Sequence, residues 1–179
     1  EKEEDDPIQS CRDRLCKLFN ADDSDRFVFT SGSTEALNLA INGLELDNAH
    51  VVSTAIEHNS VIRPLKHLEL EGKIESTFVP CDETGYVSVE DIEANIKNNT
   101  KAIVVNHCSN VTGTILDIKS ISELAHKNNI TLIVDASQSA GAIDIDIKNW
   151  NIDLLAYKGH KSLYGIQGIF RESIQKKSW

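Results

Sequence analysis

The sequence has no apolar run long enough to cross a bilayer. Its longest uninterrupted stretches, such as Ala102 to Val105, are only a few residues, against the roughly 20 that a spanning helix needs. No basic n-region with an apolar h-region opens the chain, so there is no secretory signal to read. It begins at Glu1 rather than Met, and a processed or trimmed start is the expectation. Positive charge is scarce: 18 Lys and Arg face 28 Asp and Glu, a formal net charge of −10. A nucleic acid or an anionic membrane surface would need a basic patch, so neither is expected as a partner. The four cysteines, Cys11, Cys16, Cys81 and Cys108, are scattered and form no C-x-x-C pair. They do not read as a disulfide framework, and a reducing, cytoplasmic compartment is expected. His58, His107, Cys108 and His126 follow no metal-ligand spacing, so no metal is expected. Neither a G-x-x-x-x-G-K-[ST] loop nor a G-x-G-x-x-G turn occurs.

What is present is an ordinary globular balance, 40% hydrophobic and 26% charged over 179 residues, enough for one domain with a substantial core. Residues 1–7 include the run EKEEDD, which reads as a solvated acidic segment with little folding role. From residue 8 onward, short β-branched runs alternate with longer amphipathic segments. The runs predict strands over 26–30, 50–54, 74–80, 101–106, 131–135 and 152–156. The amphipathic segments predict helices over 8–19, 34–42, 60–71, 89–97 and 118–128. Gly43 marks one helix end, and Asn128-Asn129 mark another. In the last helix Ile118, Ile121, Leu124 and Ala125 recur near helical spacing. Strands such as AIVV and TLIVD are apolar throughout, as in a mostly parallel sheet covered by helices on both faces. The fold class is therefore α/β, in three layers.

Ligands in such folds bind at the carboxyl ends of the strands, and four polar clusters fall there: TSGSTE, EHNS, NHCSN and DASQ. In TSGSTEALNLAI, Gly32, Ser33 and Thr34 lie between a strand and a helix. Free N–H groups and hydroxyls at a helix start suit a phosphate, and equally a plain N-cap. Asp135 ends an apolar strand, with Gln138 just beyond. A carboxylate there can keep a ring nitrogen protonated, as a pyridoxal cofactor requires, or simply cap a turn. YKGHKSLYG carries Lys158, His160 and Lys161 after IDLLA. A lysine in desolvating or cationic surroundings can condense with a carbonyl, and a basic surface turn is the plainer alternative. His58 can stack on a flat ring or serve as a hydrogen-bonded loop histidine.

Taken together, FVFTSGSTEALNLAINGL, VVSTAIEHNSVIRPLKHLE, NHCSNVTGTILDI, LIVDASQSAGAIDIDI and NIDLLAYKGHKSLYGIQGI resemble the class V aminotransferase family. The likeness is greatest to its cysteine desulfurase and selenocysteine lyase-like members, and it runs from about Gln9 to Phe170. The resemblance implies the large domain of a fold type I enzyme of pyridoxal 5′-phosphate over 8–179. It gives Lys161 to the internal aldimine and Asp135 to the pyridine nitrogen. Gln138 and Asn110 would lie near the phenolic oxygen. His58 would stack on the ring, with Ser33, Thr34 and His160 on the phosphate. It further implies an L-cysteine-like substrate converted to L-alanine, a sulfur-acceptor protein and a homodimer. Three features depart from the family pattern. Lys158 stands where a phosphate-binding Ser or Thr is usual, and Ile166 replaces a turn proline, which should loosen that turn. The sequence also ends at Trp179, before the small C-terminal domain with the catalytic cysteine and the carboxylate-binding arginine, so a truncated member is expected. The tail RESIQKKSW lacks the apolar strand pattern expected there. None of the four cysteines aligns with the sulfur acceptor, and a buried packing role is expected for Cys108. The other readings are a different reaction on the same cofactor, such as transamination or a kynureninase-like cleavage, and a degenerate, non-catalytic interaction module.

Overall fold

The computed structural model describes residues 6–165 and the backbone of residues 170–174. Helix α1 spans Pro7–Leu18, and Asp6 caps it by accepting the Ile8 amide at 2.9 Å. One member of the acidic run therefore has a local folding role that charge alone did not suggest: a carboxylate satisfies an otherwise orphaned helix N–H. Strand β1 (Phe27–Thr30) leads into α2 (Ser33–Asn42), and β2 (Ala49–Thr54) into α3 (Asn59–Leu70). Then follow β3 (Ile74–Val79), α4 (Val89–Ala94), β4 (Thr100–Asn106) and α5 (Ile118–Lys127). The described chain closes with β5 (Thr131–Asp135), α6 (Ile147–Trp150), β6 (Leu154–Tyr157) and β7 (Phe170–Ile174).

The seven strands form one sheet in the order β1-β7-β6-β5-β4-β2-β3. Five neighbours, β6 through β3, pair in parallel, and β7 inserts antiparallel between β1 and β6. That strand corrects the expectation for the tail. Its sequence has no apolar run, and it is held instead by backbone ladders to a strand on either side, which no periodicity signals. Helix α4 is shorter than the predicted 89–97, ending at Ala94. The segment to Thr100 instead makes turn hydrogen bonds, such as Ile96 N–H to the Glu93 carbonyl and Thr100 N–H to the Lys97 carbonyl.

Alternation along the buried strands sends side chains to two cores. In β4, Ile103 and Val105 join Phe19, Ile118, Ile121 and Leu124 on one face. Ala102 and Val104 join Leu37, Ile41, Val61 and Leu65 on the other. A strand with period 2 and apolar residues at every position must be covered twice. Here α2 and α3 cover one face, and α1 and α5 contribute to the other. Each fully buried Leu or Ile contributes roughly 1.5–3 kcal/mol. Helix α5 combines this burial with a cap, since Asp117 accepts the Ser120 amide at 3.1 Å and its hydroxyl at 2.7 Å. The three-layer α/β architecture is as the sequence predicts. After β2 the chain moves outward to β3, then crosses back to β4 on the opposite side of β2. That reversal is the topological switch where α/β sheets open a crevice at their carboxyl ends.

Candidate functional site

A cleft lies at those strand ends, and residues from α2 and the loops after β2, β4, β5 and β6 line it: Ser33, His58, Asn106, Asp135 and Lys161 among them. Register accounts for much of the arrangement. Asn106 and Asp135 are paired positions on β4 and β5, so both project at the same level. Asp135 is 6% exposed, and its Oδ1 accepts the Ser137 amide at 2.9 Å. Its carboxylate accepts no further hydrogen bond among the described residues. Ser33 opens α2 with its side chain buried, behind an extended Gly32 that makes no side-chain cap. The free amides of that helix end therefore remain open to a ligand.

His58 is the N-cap of α3. Its Nδ1 accepts the Ser60 amide at 3.1 Å and also meets the Ser60 hydroxyl at 2.8 Å. Accepting that amide leaves the ring proton on Nε2. The Ser60 hydroxyl in turn meets Thr34 Oγ1 at 2.8 Å. Thr34 thus sits behind the histidine rather than lining the cleft, and the chain Thr34–Ser60–His58 orients the imidazole.

Lys158 and Lys161 follow β6, both half-buried and both lining the cleft. Burial pushes the Lys161 ammonium below the usual lysine range, and the neighbouring Lys158 charge lowers it further, against a smaller opposing pull from Asp135. The turn that carries Lys161 closes through Tyr164 N–H to the Lys161 carbonyl and Gly165 N–H to the Gly159 carbonyl, at 3.0 and 2.7 Å. It rests on Gly141, whose φ of +86° lies in the left-handed region. A side chain on Gly141 would meet the Ser162 carbonyl at 2.9 Å and Leu163 at 2.7 Å.

Behind the cleft is Glu57, a carboxyl buried to 7% exposure. Its Oε1 accepts the Thr54 hydroxyl at 2.5 Å, the Asn106 amide at 2.9 Å and Asn106 Nδ2 at 3.1 Å. Its Oε2 is buried with no hydrogen-bond partner among the described residues. Burial is the main reason its pKa is pushed up to about 8, and the Asp135 charge adds to the rise against those hydrogen bonds. Glu57 therefore stays protonated at neutral pH and fixes Asn106.

Of the residues proposed from sequence, Ser33, His58, Asn110, Asp135, Gln138 and Lys161 line one cleft. Thr34 and His160 do not. Cys108 also faces the cleft and is half-buried, with Sγ 3.6 Å from the Gly113 carbonyl. This corrects the expected buried role: the thiol lies at the cleft, beside the isolated bridge between Cys108 and Ile115. Sequence reading assigned no site role to Glu57, Asn106 or Ser137. Glu57 and Asn106 lie within the clusters EHNS and NHCSN, but their mutual contact comes only from the adjacency of β2 and β4. The other histidines have structural surroundings. His107 packs edge-on to Trp150 at 5.7 Å, and His126 meets Asp153 at 3.0 Å. Ile166 lies outside the described residues.

The chain belongs to the class-V aminotransferase family, whose model matches residues 1–172. A cysteine desulfurase IscS of Clostridium botulinum is 42% identical over 166 residues, covering 90% of this chain and 41% of that protein. An IscS of Plasmodium falciparum is 36% identical over 177 residues, 95% of this chain and 32% of its own length. Among solved structures, SspA in complex with cysteine superposes with a TM-score of 0.88 at 33% identity, covering 93% of this chain and 48% of that one. An apo cysteine desulfurase from Thermococcus onnurineus gives 0.87 at 28% identity, covering 94% and 42%. The chain thus spans less than half the length of the relatives it matches.

Proposed function

We propose that this chain forms the cofactor-holding part of a pyridoxal 5′-phosphate enzyme that removes sulfur from L-cysteine or a close analogue, leaving L-alanine. The observation that carries this reading is the convergence of Lys161, Asp135, His58 and Gln138 in one cleft beside the start of α2. The donor set fits the cofactor part by part: an amine of lowered proton affinity for the aldehyde, a carboxylate for the pyridine nitrogen, and free amides with Ser33 for the phosphate. Family membership and the cysteine-bound SspA relative support the substrate class.

When bound, pyridoxal phosphate supplies an electron sink for negative charge at the substrate Cα. Lys161 would hold the aldehyde carbon and, as an amine of lowered proton affinity, would serve as the base for the substrate Cα proton. Asp135 would hold a proton on the pyridine nitrogen. His58, oriented by Ser60, would stack on the ring. Gln138 and Asn110 are assigned to the phenolic oxygen. A homodimer, a sulfur-acceptor protein and a cytoplasmic setting belong to the same proposal, the last supported by the scattered spacing of the four cysteines.

The test is to add pyridoxal phosphate, reduce with borohydride and map the modified peptide. Modification confined to Lys161, and absent from Lys161→Ala, is the expected result. Modification spread over surface lysines such as Lys119 would overturn the assignment.

A further inference from the structure

Buried polar side-chain atoms almost always find a hydrogen-bond partner. At the carboxyl edge of this sheet, Glu57 Oε2, Asn106 Oδ1 and Ser137 Oγ are buried and have none among the described residues. Strand β4 lies between β2 and β5, and Asn106, its last residue, pairs in register with Asp135. Glu57, just past the end of β2, accepts the Asn106 backbone N–H at 2.9 Å and Nδ2 at 3.1 Å. The other Nδ2 hydrogen goes to the Ile56 carbonyl at 3.0 Å. Both amide hydrogens are therefore committed, and the Asn106 side chain cannot turn over. The result is a row across adjacent strands, with a carboxyl at each end and one fixed amide between. The two carboxyls, Glu57 and Asp135, are 7% and 6% exposed. Neither makes an ion pair among the described residues.

Two carboxylates in one water-poor region repel each other, so such a pair settles with one negative charge and one proton. Asp135 lines the cleft and Glu57 stands behind it, which gives the charge to Asp135 and the proton to Glu57. Oε2 carries that proton, because Oε1 already accepts from Thr54 and twice from Asn106. We propose that Glu57 is a positioning residue coupled to Asp135 across Asn106: it holds the pair's proton while Asp135 has no cationic partner, and releases it to solvent when the protonated ring nitrogen of the cofactor is placed against Asp135. This rests on the pyridoxal phosphate reading above and adds to it a residue that does not touch the cofactor. The proton leaves Oε2 for water, and its bonding pair stays on a carboxylate that keeps the hydrogen bonds to Oε1. The cause is electrostatic. The Asp135 charge helps to raise the proton affinity of Glu57, and a cation against Asp135 offsets that charge. Binding that releases a proton tightens as pH rises, up to the ligand-free value of about 8. The other titratable groups on the surrounding elements are His58 at α3, His107 after β4, and Lys158, His160 and Lys161 after β6.

The experiment measures the affinity of pyridoxal phosphate from the absorbance change on binding, for the 179-residue chain and for Glu57→Gln. Both are titrated from about pH 6 to about pH 9. Those other groups, and the cofactor's own, are present with both proteins and cancel in the ratio of affinities. The parent's affinity relative to Glu57→Gln should rise with pH on the order of tenfold, the effect of moving one titration by about one pH unit. The control ligand has a benzene ring in place of the pyridine, with the same aldehyde and phosphate, and with it the ratio should show no rise. A second readout needs no variant: the infrared carbonyl band of a protonated carboxyl, in protein carrying isotope-labelled glutamate. Exposed carboxyls are ionised near neutral pH, so this band reports a buried acid. It should fall on adding pyridoxal phosphate and stay constant on adding the benzene analogue. A ratio flat with pH, or a band unchanged by pyridoxal phosphate, with borohydride still marking Lys161 alone, would overturn the proposal and leave the cofactor reading standing. Absence of selective modification at Lys161 would overturn both. Should Glu57→Gln fail to fold by circular dichroism, the infrared measurement on the parent chain decides.

Discussion

Glu57 makes the stability of this chain depend on pH in an unusual direction. A carboxyl whose pKa rises from 4.5 to about 8 on folding keeps its proton in the native state while the unfolded chain loses it. Between those values the native state binds one more proton than the unfolded state, so stability falls as pH rises. Below 4.5 both states are protonated and the effect is fully relieved, and above 8 the loss is complete. The gap of about 3.5 pH units, at about 1.4 kcal/mol per unit, amounts to about 5 kcal/mol. That is a large share of the roughly 5–15 kcal/mol typical of a domain. Glu57→Gln removes the titration but keeps an acceptor for Thr54 and Asn106. Its amide N–H groups would occupy the place of Oε2, where the described residues offer no partner, at a cost of about 1–3 kcal/mol. The variant should therefore be less stable than the parent at about pH 5 and more stable at about pH 8. The difference between the two should move by about 4 kcal/mol across that range, roughly 8–16 °C in Tm for a chain of this size. Urea or thermal unfolding at several pH values measures it. All other titrating groups are common to both proteins and cancel in the difference. A stability difference that stays constant from about pH 5 to about pH 8 would refute the reasoning, showing that Glu57 ionises alike in both states.

Four further outcomes follow from the structure. Gly141→Ala places a Cβ against the Ser162 carbonyl at a positive φ, so it should cost about 1–3 kcal/mol and reduce borohydride modification of Lys161 more than the stability loss explains. Ile121→Ala, at a fully buried position of α5, should cost about 2–5 kcal/mol in denaturant unfolding. Leu39→Ala, at an exposed position of α2, should stay within about 0.5 kcal/mol. Because Lys161 loses its proton more readily than an ordinary lysine, its selectivity over Lys119 in reductive modification should be greatest near neutral pH. That selectivity should shrink as pH approaches the ordinary lysine value, and a selectivity flat across pH would contradict the lowered proton affinity.

The six predicted strands and five predicted helices all appear in the structure, with ends differing by a few residues. Strand β7 and the short helix α6 were not anticipated from pattern. Neither has a long apolar period: α6 is four residues with one buried side chain, Ile147, and β7 depends on strands distant in the chain. The candidate site was legible as a set of residue types at strand ends, because α/β folds place ligands there whatever the loop sequence. Which of those side chains face one another was not legible. Thr34 and Ser33 are neighbours in sequence, yet one helix position turns Ser33 into the cleft and Thr34 toward Ser60.

Local sequence therefore determined the elements, the two-faced burial of the sheet and the chemistry available at its carboxyl edge, since all three depend on patterns within a few residues. Only the tertiary structure decided that Glu57 would be a buried, protonated acid against Asn106, and that Lys158 would share a cleft with Lys161 and a single carboxylate. Burial and charge balance are sums over groups far apart in the chain, and these become neighbours only when the strands take their order in the sheet.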